Sequence, residues 1–332
     1  MRQVFEKTRP VAAALIGLSC LAWGATGHAE TGEQILLKVQ QAAKQNDYEG
    51  VFTYLQAGRA QSSRIAHAHQ AGQHWEKLNV LDGNPQTVYR DGKTVRIAFA
   101  EERKLVIEPV SKREHFPSIG LTDLPSLSAH YEVKAENKTE RVAERDCQTV
   151  NIVPRDQSRY GYRLCIDQDT RLLLRSETLN AQGQAIEQVA FAMLRLGQTL
   201  GPDALKPPAS LKDWKTQTVR YAPIKLEDEG WSLPSVLGFH RVDEVKRAVG
   251  AREQVLQALL SDGLASVSVF VEPYGEQHPT QDGSAARGAV HVVGKRKGDY
   301  WLTVLGEAPL STVQAIADAI TPISGHTSSL TR

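Results

Sequence analysis

Apolar and polar residues alternate along most of the chain between Tyr48 and Leu196, and this period of two predicts β-strands. Ten short runs carry the pattern: Gly50–Gln56, His74–Leu81, Gln86–Arg90, Lys93–Ala98, Lys104–Pro109, Tyr131–Val142, Asp146–Pro154, Tyr160–Asp167, Leu172–Leu179 and Ala185–Leu196. The connections are short and include the tight-turn dipeptide Asp91-Gly92, which predicts an antiparallel meander. One helix cannot cover both faces of so large a sheet, so we expect the sheet to curl around its apolar face.

Two stretches have the helical period instead. Thr31-Gly32-Glu33-Gln34 is a capping box that opens an amphipathic helix, and Ser311-Thr312-Val313-Gln314 repeats the pattern near the end of the chain. A linker rich in proline and glycine is predicted over residues 201–221, and further alternating runs and tight turns follow it. The predicted fold class is α+β, mainly antiparallel β: a curled sheet with a helix, then a smaller domain with an antiparallel sheet and one helix.

The N-terminus predicts a secretory signal peptide over residues 1–29. Three basic residues precede an apolar run at Val11–Leu21, and Gly27-His28-Ala29 supplies small residues at the two positions that a signal peptidase reads. The chain has 39 basic and 38 acidic residues, and removing the signal peptide takes away three basic and one acidic residue, so the net charge becomes −1. Such a charge argues against general binding of nucleic acid or of anionic membranes.

The cysteines predict one disulfide bond. Cys20 lies inside the predicted signal peptide, and lipidation there is disfavoured because the usual small residues do not precede it. Cys147 and Cys165 bracket a predicted hairpin, and pairing about Asp156 would set them opposite each other. An even number of cysteines in an exported protein favours a disulfide, and two independent buried thiols are the alternative.

Motifs for catalysis are missing from the sequence. There is no Gly-x-Ser-x-Gly elbow, no His-Glu-x-x-His, no phosphate loop and no Cys-x-x-Cys, so we expect neither an enzyme nor a cofactor. His67, His69 and His74 are the best metal candidates, but no acidic residue completes a ligand shell, and a polar strand edge and loop is the favoured interpretation. The sequence therefore predicts a binding protein without a metal site.

A curled antiparallel sheet with a helix at its open side is suited to binding a lipid or a hydrophobic peptide. Apolar and aromatic strand residues are candidates for the concave face, and ordinary core packing is the alternative for each of them. The candidate lipid-contact residues are Val51, Phe52, Tyr54, Trp75, Val88, Val95, Ile97, Phe99 and Val106.

Four segments of the sequence are distinctive: DYEGVFTY at Asp47–Tyr54, PRDQSRYGYR ending at Arg163, GWSLPSVLGF at Gly230–Phe239 and GLASVSVFVEP at Gly263–Pro273. Together they resemble the RseB/MucB family of periplasmic regulators of the envelope-stress sigma factor, sigma-E. The resemblance covers nearly the whole chain after the signal peptide. It implies an N-terminal domain over residues 30–200 that is similar to the lipoprotein carriers LolA and LppX, with a curled half-barrel. It also implies a C-terminal domain over residues 222–325 that docks on the periplasmic part of an anti-sigma factor of the RseA/MucA type.

The resemblance also implies a regulatory cycle. The protein would shield the anti-sigma segment from the first regulatory protease, and lipopolysaccharide or the acyl chains of mislocalised lipoprotein would release it. A lipid that prefers the free protein must weaken anti-sigma binding reciprocally. A lipid or lipoprotein carrier of the LolA type is the alternative, an envelope hydrolase is disfavoured by the missing motifs, and a homo-oligomer is left open.

The candidate partner-binding residues are aromatic or apolar anchors, the types that dominate protein interfaces, together with arginines. They are Arg155, Arg159, Trp231, Leu233, Phe239, Arg241, Tyr300 and Trp301. The anchors have core packing as their alternative. The two arginines of the hairpin tip, Arg155 and Arg159, are expected to dock against either the partner or the second domain.

Overall fold

The computed structural model describes residues 30–110, 116–197, 200–249 and 253–323, and the predicted signal peptide lies outside the described residues. Helix α1 (Gly32–Gln45) follows the N-cap Thr31, whose hydroxyl accepts a hydrogen bond from the Gln34 backbone. The Gln34 side chain accepts one from the Thr31 N–H at 3.0 Å, which confirms the capping box. No described helix has both the length and the apolarity that crossing a membrane requires.

Eleven strands form the N-terminal sheet, and all their pairings with one another are antiparallel. They are β1 (Tyr48–Gln56), β2 (Arg59–Gln70), β3 (Gln73–Val80), β4 (Gln86–Arg90), β5 (Thr94–Phe99), β6 (Lys104–Pro109), β7 (Tyr131–Val142), β8 (Arg145–Pro154), β9 (Gly161–Asp167), β10 (Leu173–Leu179) and β11 (Ala185–Leu196). Strand β1 pairs with both β2 and β11, so the sheet runs from β6 through β1 and β11 to β7. The predicted antiparallel meander is confirmed.

Strand β2 is the one strand of this sheet that the sequence pattern missed. Its first half is polar, and its second half contains four consecutive buried residues, Ile65, Ala66, His67 and Ala68, so both faces are covered there and the alternation disappears. A strand that is buried on both faces does not show the period of two. Tertiary packing, rather than local pattern, therefore determines this element.

Helix α1 and a second helix, α2 (Leu124–His130), cover one face of the sheet. Ile35, Leu36 and Val39 of α1 share a buried apolar cluster with residues of β8 and β9, which include Val150 and Leu164. Burying such side chains contributes roughly 1.5–3 kcal/mol each. This packing fixes the helix against the half of the sheet that contains the disulfide.

The segment predicted as a linker is built into the fold. It contains α3 (Pro202–Leu205), a 3-10 helix (Ala209–Asp213) and strand β12 (Lys215–Pro223). The first half of β12 pairs in parallel with β6, and its second half pairs antiparallel with strand β14 (His240–Val249). Residues 215–221 of the predicted linker are therefore strand, because the backbone of β12 pairs first with β6 of the N-terminal sheet and then with β14 of the C-terminal sheet.

The C-terminal sheet contains β14, β15 (Glu253–Ser261), β16 (Ser266–Pro273), β17 (Gly283–Arg287), β18 (Val290–Lys297) and β19 (Tyr300–Glu307). Its spatial order after β12 is β14, β15, β16, β19, β18 and β17, with antiparallel pairing throughout. Helix α4 (Leu310–Ala319) packs on it, and the short strands β13 (Trp231–Ser232) and β20 (Thr321–Pro322) pair with each other. The predicted α+β class is confirmed.

The second predicted capping box is wrong. Helix α4 has Pro309 as its N-cap and no side-chain cap. The hydroxyl of Thr312 donates instead to the Ser158 carbonyl oxygen at 2.8 Å, a contact with the tip of the β8–β9 hairpin. Ser311, the predicted N-cap, is the second residue of the helix, which begins at Leu310, so its side chain is not at the capping position.

The predicted disulfide joins Cys147 and Cys165, whose Cα atoms lie 5.4 Å apart. The hairpin register differs from the expected one, because Cys165 faces Thr149 and Cys147 faces Asp167. The hairpin is thus centred one residue later than Asp156, and the two cysteines are diagonal neighbours on one face rather than opposite each other. Diagonal positions on one sheet face are still close enough to interact.

Candidate functional site

A cavity of about 460 Å³ lies on the inner face of strands β3 to β6, and we call it the sheet cavity. Val88, Val95 and Ile97 are part of its apolar lining, together with Ala43, Tyr48, Val110 and Pro117. Val88, Val95 and Ile97 belong to the predicted lipid-contact set, and strand alternation places them on the same face. The structure therefore gathers this part of the prediction into one site.

Charged and aromatic groups surround the apolar lining. Lys44 of α1 lies at the sheet cavity, and the Arg90 guanidinium forms an ion pair with the Glu76 carboxylate. His67 stacks on Tyr48 with ring centroids 5.0 Å apart, and Nδ1 of His67 lies 2.8 Å from the Asn46 carbonyl oxygen. Burial lowers the pKa of His67 from 6.5 to about 4, so this ring is neutral at pH 7.

The three histidines considered as metal ligands do not all share one site. His67 and His74 both line the sheet cavity, with ring centroids 5.9 Å apart, whereas His69 is exposed and its backbone N–H donates to the Asp47 carboxylate, so His69 alone is set apart. Within the described ranges, no group of three or more His, Cys, Asp or Glu residues is arranged to hold a metal ion.

The other predicted lipid-contact residues are dispersed. Phe52 packs against Phe116 and Phe191 in a buried aromatic cluster, with ring centroids 5.2 and 6.1 Å away. Phe99 and Val106 are half-buried next to the sheet cavity but do not line it. Of the whole set, Tyr54 alone lines a second cavity.

Val51 and Trp75 are on the other face of the sheet, which corrects their assignment. Val51 alternates with Phe52, and Trp75 alternates with the cavity residues His74 and Glu76. The Trp75 ring packs on Ala66, Ala68 and Leu205 at helix α3, which covers that face. The sequence pattern predicts two faces, but it does not say which one is concave.

The second cavity has a volume of about 330 Å³ and is lined by residues of both sheets. We call it the acidic cavity because Glu187 of β11 and Glu307 of β19 line it. The Glu187 carboxylate is buried and accepts hydrogen bonds from the Tyr54 hydroxyl at 2.7 Å, the Ala289 N–H at 2.6 Å and the Gln56 amide. Sequence reasoning missed this residue, although a glutamate on the strand face shared by Phe191 was a usable signal.

Arg159 is an internal residue rather than a surface contact. Its side chain is 0% exposed and donates to Asp262 at 2.7 Å, to Asp156 at 3.0 Å and to the Leu237 carbonyl oxygen at 2.6 Å. Tyr131 also donates to Asp262, at 2.8 Å. Burial alone would lower the pKa of Arg159, but the hydrogen bond to Asp156 and the charge of Asp262 outweigh it and raise the pKa.

We call this group the Arg159 clasp, defined by Arg159, Asp262, Tyr131 and Asp156. It joins the tip of the β8–β9 hairpin and the start of β7 to the turn between β15 and β16. Arg159 is expected from the sequence to contact either a partner protein or the second domain. It contacts the second domain, through Asp262, and its burial leaves no surface for a partner. Arg155 is exposed, and its Nε donates to the Ser128 carbonyl oxygen at 3.3 Å.

Most predicted C-terminal anchors belong to the core. Trp231, Leu233 and Phe239 are at most 2% exposed and pack in the apolar cluster under helix α4, and Trp301 is also buried. Tyr300 is half-buried and meets the Trp231 ring edge-on at 5.3 Å. These aromatic residues fill the small C-terminal core, and their burial corrects the assignment of the first three and of Trp301 as surface anchors.

Arg241 is the C-terminal arginine of the predicted set, and it stays accessible. It forms ion pairs with Glu227 at 2.6 Å and with Glu244 at 3.0 Å. Arg155, Arg241 and Tyr300 are thus the predicted partner contacts that solvent reaches.

Two family models match the chain: the MucB/RseB N-terminal domain over residues 31–209 and the MucB/RseB C-terminal domain over residues 225–321. The sigma factor AlgU regulatory protein MucB of Pseudomonas aeruginosa is 32% identical over 321 residues, which cover 92% of this chain and 95% of that protein. The sigma-E factor regulatory protein RseB of Escherichia coli K12 is 26% identical over 90% of this chain and 94% of its own length. The solved complex of Pseudomonas aeruginosa MucA and MucB aligns with a TM-score of 0.68 and 28% identity, over 89% of this chain and 99% of the matched chain.

Proposed function

The chain belongs to the MucB/RseB family, and from this premise we propose that it is a periplasmic regulator of an envelope-stress sigma factor. In this proposal it binds the periplasmic segment of an anti-sigma factor and has no catalytic role. The observation that carries the proposal is the match to MucB, a protein solved in complex with MucA, along nearly the whole described chain. The chain contains both domains of the family, and we infer that it binds an anti-sigma segment with this same architecture.

Binding is tested with the protein lacking residues 1–29 and the periplasmic region of the anti-sigma factor from the same genome. Isothermal titration calorimetry in lipid-free buffer should detect a one-to-one complex or a defined multiple of it. Absence of binding by a folded protein would contradict the proposal.

The accessible arginines offer a sharper version of this experiment. We expect Arg241→Glu or Arg155→Glu to weaken the complex, because charge reversal at an interface changes both steering and affinity. Arg64→Glu is the matched control, since Arg64 is an exposed arginine on strand β2. If all three variants bind like the unmodified protein, these arginines are not contact residues.

Shielding from proteolysis is the second part of the proposal. A protease that cuts the free anti-sigma segment should cut it more slowly in the complex, in proportion to the bound fraction. Equal cleavage rates at saturating protein would remove this part and leave binding intact.

Lipid sensing is the third part, and the sheet cavity supports it. An acyl chain of lipopolysaccharide or of a mislocalised lipoprotein would lie on Val88, Val95 and Ile97, and Lys44 could meet an anionic headgroup. Ile97→Trp fills this space without removing apolar surface, so it should abolish lipid binding and leave anti-sigma binding unchanged. Leu55→Trp, at a position that is 43% exposed, is the control.

A lipid carrier is the alternative that the same cavity favours. The two functions differ in coupling: for a regulator, saturating lipid must raise the dissociation constant of the anti-sigma complex, and the anti-sigma segment must weaken lipid binding by the same factor. A carrier binds lipid with no such effect. A dissociation constant that does not change with lipid would favour the carrier.

A further inference from the structure

The acidic cavity is lined by negative charge, which repels an anionic ligand and attracts a cationic one. Two carboxylates, those of Glu187 and Glu307, face it, and none of its described lining residues is Lys, Arg or His. The three hydrogen bonds that Glu187 accepts all come from neutral donors, the Tyr54 hydroxyl, the Gln56 amide and the Ala289 N–H. Its buried charge is therefore solvated by dipoles and not balanced by a cation of the lining.

Two tyrosines of the wall respond to this charge. Burial raises the pKa of Tyr54, and the hydrogen bond to Glu187 and the charges of Glu187 and Glu307 raise it further. Burial and the charge of Glu307 likewise raise the pKa of Tyr162. Arg287, the basic residue that opposes the effect at Tyr54, lies on the exposed strand β17 and contributes less.

The rest of the lining is suited to a short aliphatic group. Phe116, Ile119 and Leu164 come from the N-terminal half and Leu264 from the C-terminal half. Ser118 lines both this cavity and the sheet cavity, and its hydroxyl is buried and has no hydrogen-bond partner among the described residues. An unpaired buried hydroxyl is uncommon and points to a polar group that completes the site.

We propose that the acidic cavity binds a ligand with a short aliphatic segment that ends in a primary ammonium group. The ammonium lies between Glu187 and Glu307, and the aliphatic segment lies on Phe116, Ile119 and Leu164. This ligand is opposite in charge to the headgroup proposed for the sheet cavity, so the two sites are chemically distinct. Residues from both sheets line the site, so the bound ligand also ties the sheets together.

The test compares three probes of equal chain length: n-octylammonium, n-octanol and n-octanoate. Titration calorimetry on the protein lacking residues 1–29 should give the tightest binding for octylammonium, at least about tenfold tighter than octanol, and the weakest for octanoate. Equal affinities for octylammonium and octanol, stronger binding of octanoate, or no binding of any probe would overturn the proposal.

Substitutions in the lining test whether the preference for octylammonium arises in the acidic cavity. Glu307→Gln and Glu187→Gln should each remove the preference for octylammonium, and Ser176→Phe should block all three probes by filling the space. Glu108→Gln is the matched control, because Glu108 lines the sheet cavity. Should Glu187→Gln fail to fold, Glu307→Gln decides, and loss of the preference in Glu108→Gln would overturn the assignment.

A second arm identifies the source of the ammonium group. An acetylated peptide with one lysine between two leucines represents a protein ligand, and lysophosphatidylethanolamine represents a lipid. Binding of either that depends on Glu307 supports the proposal and names the source. If neither binds while octylammonium binds through Glu307, both sources are excluded; if octylammonium fails as well, the proposal is overturned.

Discussion

Arg159 keeps its charge in a position closed to solvent because acceptors surround it on several sides. Removing one member of a buried ion pair costs about 3–5 kcal/mol, since the other charge is left without compensation. We therefore expect Arg159→Met to lower the free energy of unfolding by about this amount, measured by urea denaturation. Arg155→Met at the exposed neighbouring position is the control and should change it by less than about 0.5 kcal/mol. Equal effects of the two substitutions would refute the structural role of the clasp.

A double variant tests the coupling inside the clasp. Asp262→Asn and Arg159→Met should not be additive, because the two side chains share one hydrogen bond at 2.7 Å. The double variant should be more stable than the sum of the single changes predicts. Additive free energies would mean that each residue acts through other neighbours.

His67 predicts a measurable pH dependence. Its folded-state pKa is lowered from 6.5 to about 4, so its contribution to stability is full above pH 6.5 and is lost as the pH falls towards 4. Between pH 7.5 and pH 4.5 this single group accounts for on the order of 2 kcal/mol. His67→Phe keeps an aromatic ring against Tyr48 and should flatten the pH dependence by that amount in urea titrations. Parallel curves for the variant and the unmodified protein would show that His67 is not responsible.

At the scale of single residues, the sequence predicts which types of side chain a site needs better than it predicts where each side chain lies in the fold. Val88, Val95 and Ile97 were identified by alternation alone and do share a cavity. The sequence does not distinguish interface residues from core residues among the aromatic side chains. Large aromatic residues such as Trp231 and Phe239 are common both in a small core and on a protein interface, and here they belong to the core. Glu187 shows the opposite case, in which a charge on an inward-facing strand position marks a site.

At the scale of elements, the disulfide connects neighbouring strands β8 and β9 within the half of the sheet that supports helix α1. The cysteines are 18 residues apart in sequence, and closing a loop of this size stabilises a protein by about 3 kcal/mol in the chain-entropy model. Replacing both cysteines by alanine should lower the urea midpoint accordingly. Reductant should lower the midpoint of the unmodified protein and leave the variant unchanged; an effect on both would be unrelated to the disulfide.

Elements with a strong local signal were predictable, and elements decided by tertiary contacts were not. The α1 capping box needs only Thr31 and Gln34, so the sequence contains the whole motif. The similar pattern at Ser311 does not cap α4, because the helix begins earlier, at Leu310 after the N-cap Pro309, and Thr312 bonds to the distant Ser158 carbonyl group. The local sequence of β12 predicts a linker, because its pairing partners, β6 and β14, are more than twenty residues away in sequence on either side of its midpoint.

At the scale of the molecule, several connections join the N-terminal and C-terminal sheets, and three of them are a shared strand and two buried polar contacts. Strand β12 pairs with both, the Arg159 clasp links the β8–β9 tip to the β15–β16 turn, and Glu187 binds the Ala289 N–H next to β18. Domains joined by a flexible linker are expected to move independently. The shared strand and the two buried contacts predict instead that the sheets unfold together.

Tryptophan positions make this cooperativity measurable. In the protein lacking residues 1–29, the double variant Trp75→Phe and Trp214→Phe leaves Trp231 and Trp301, which both lie in the C-terminal part. Its fluorescence then reports that part, whereas circular dichroism reports all strands. We expect one coincident thermal transition in the background with an intact clasp, as two-state unfolding requires. Adding Arg159→Met removes one connection and should separate the two curves, and separate curves already in the intact background would mean that β12 and the buried contacts together do not couple the sheets.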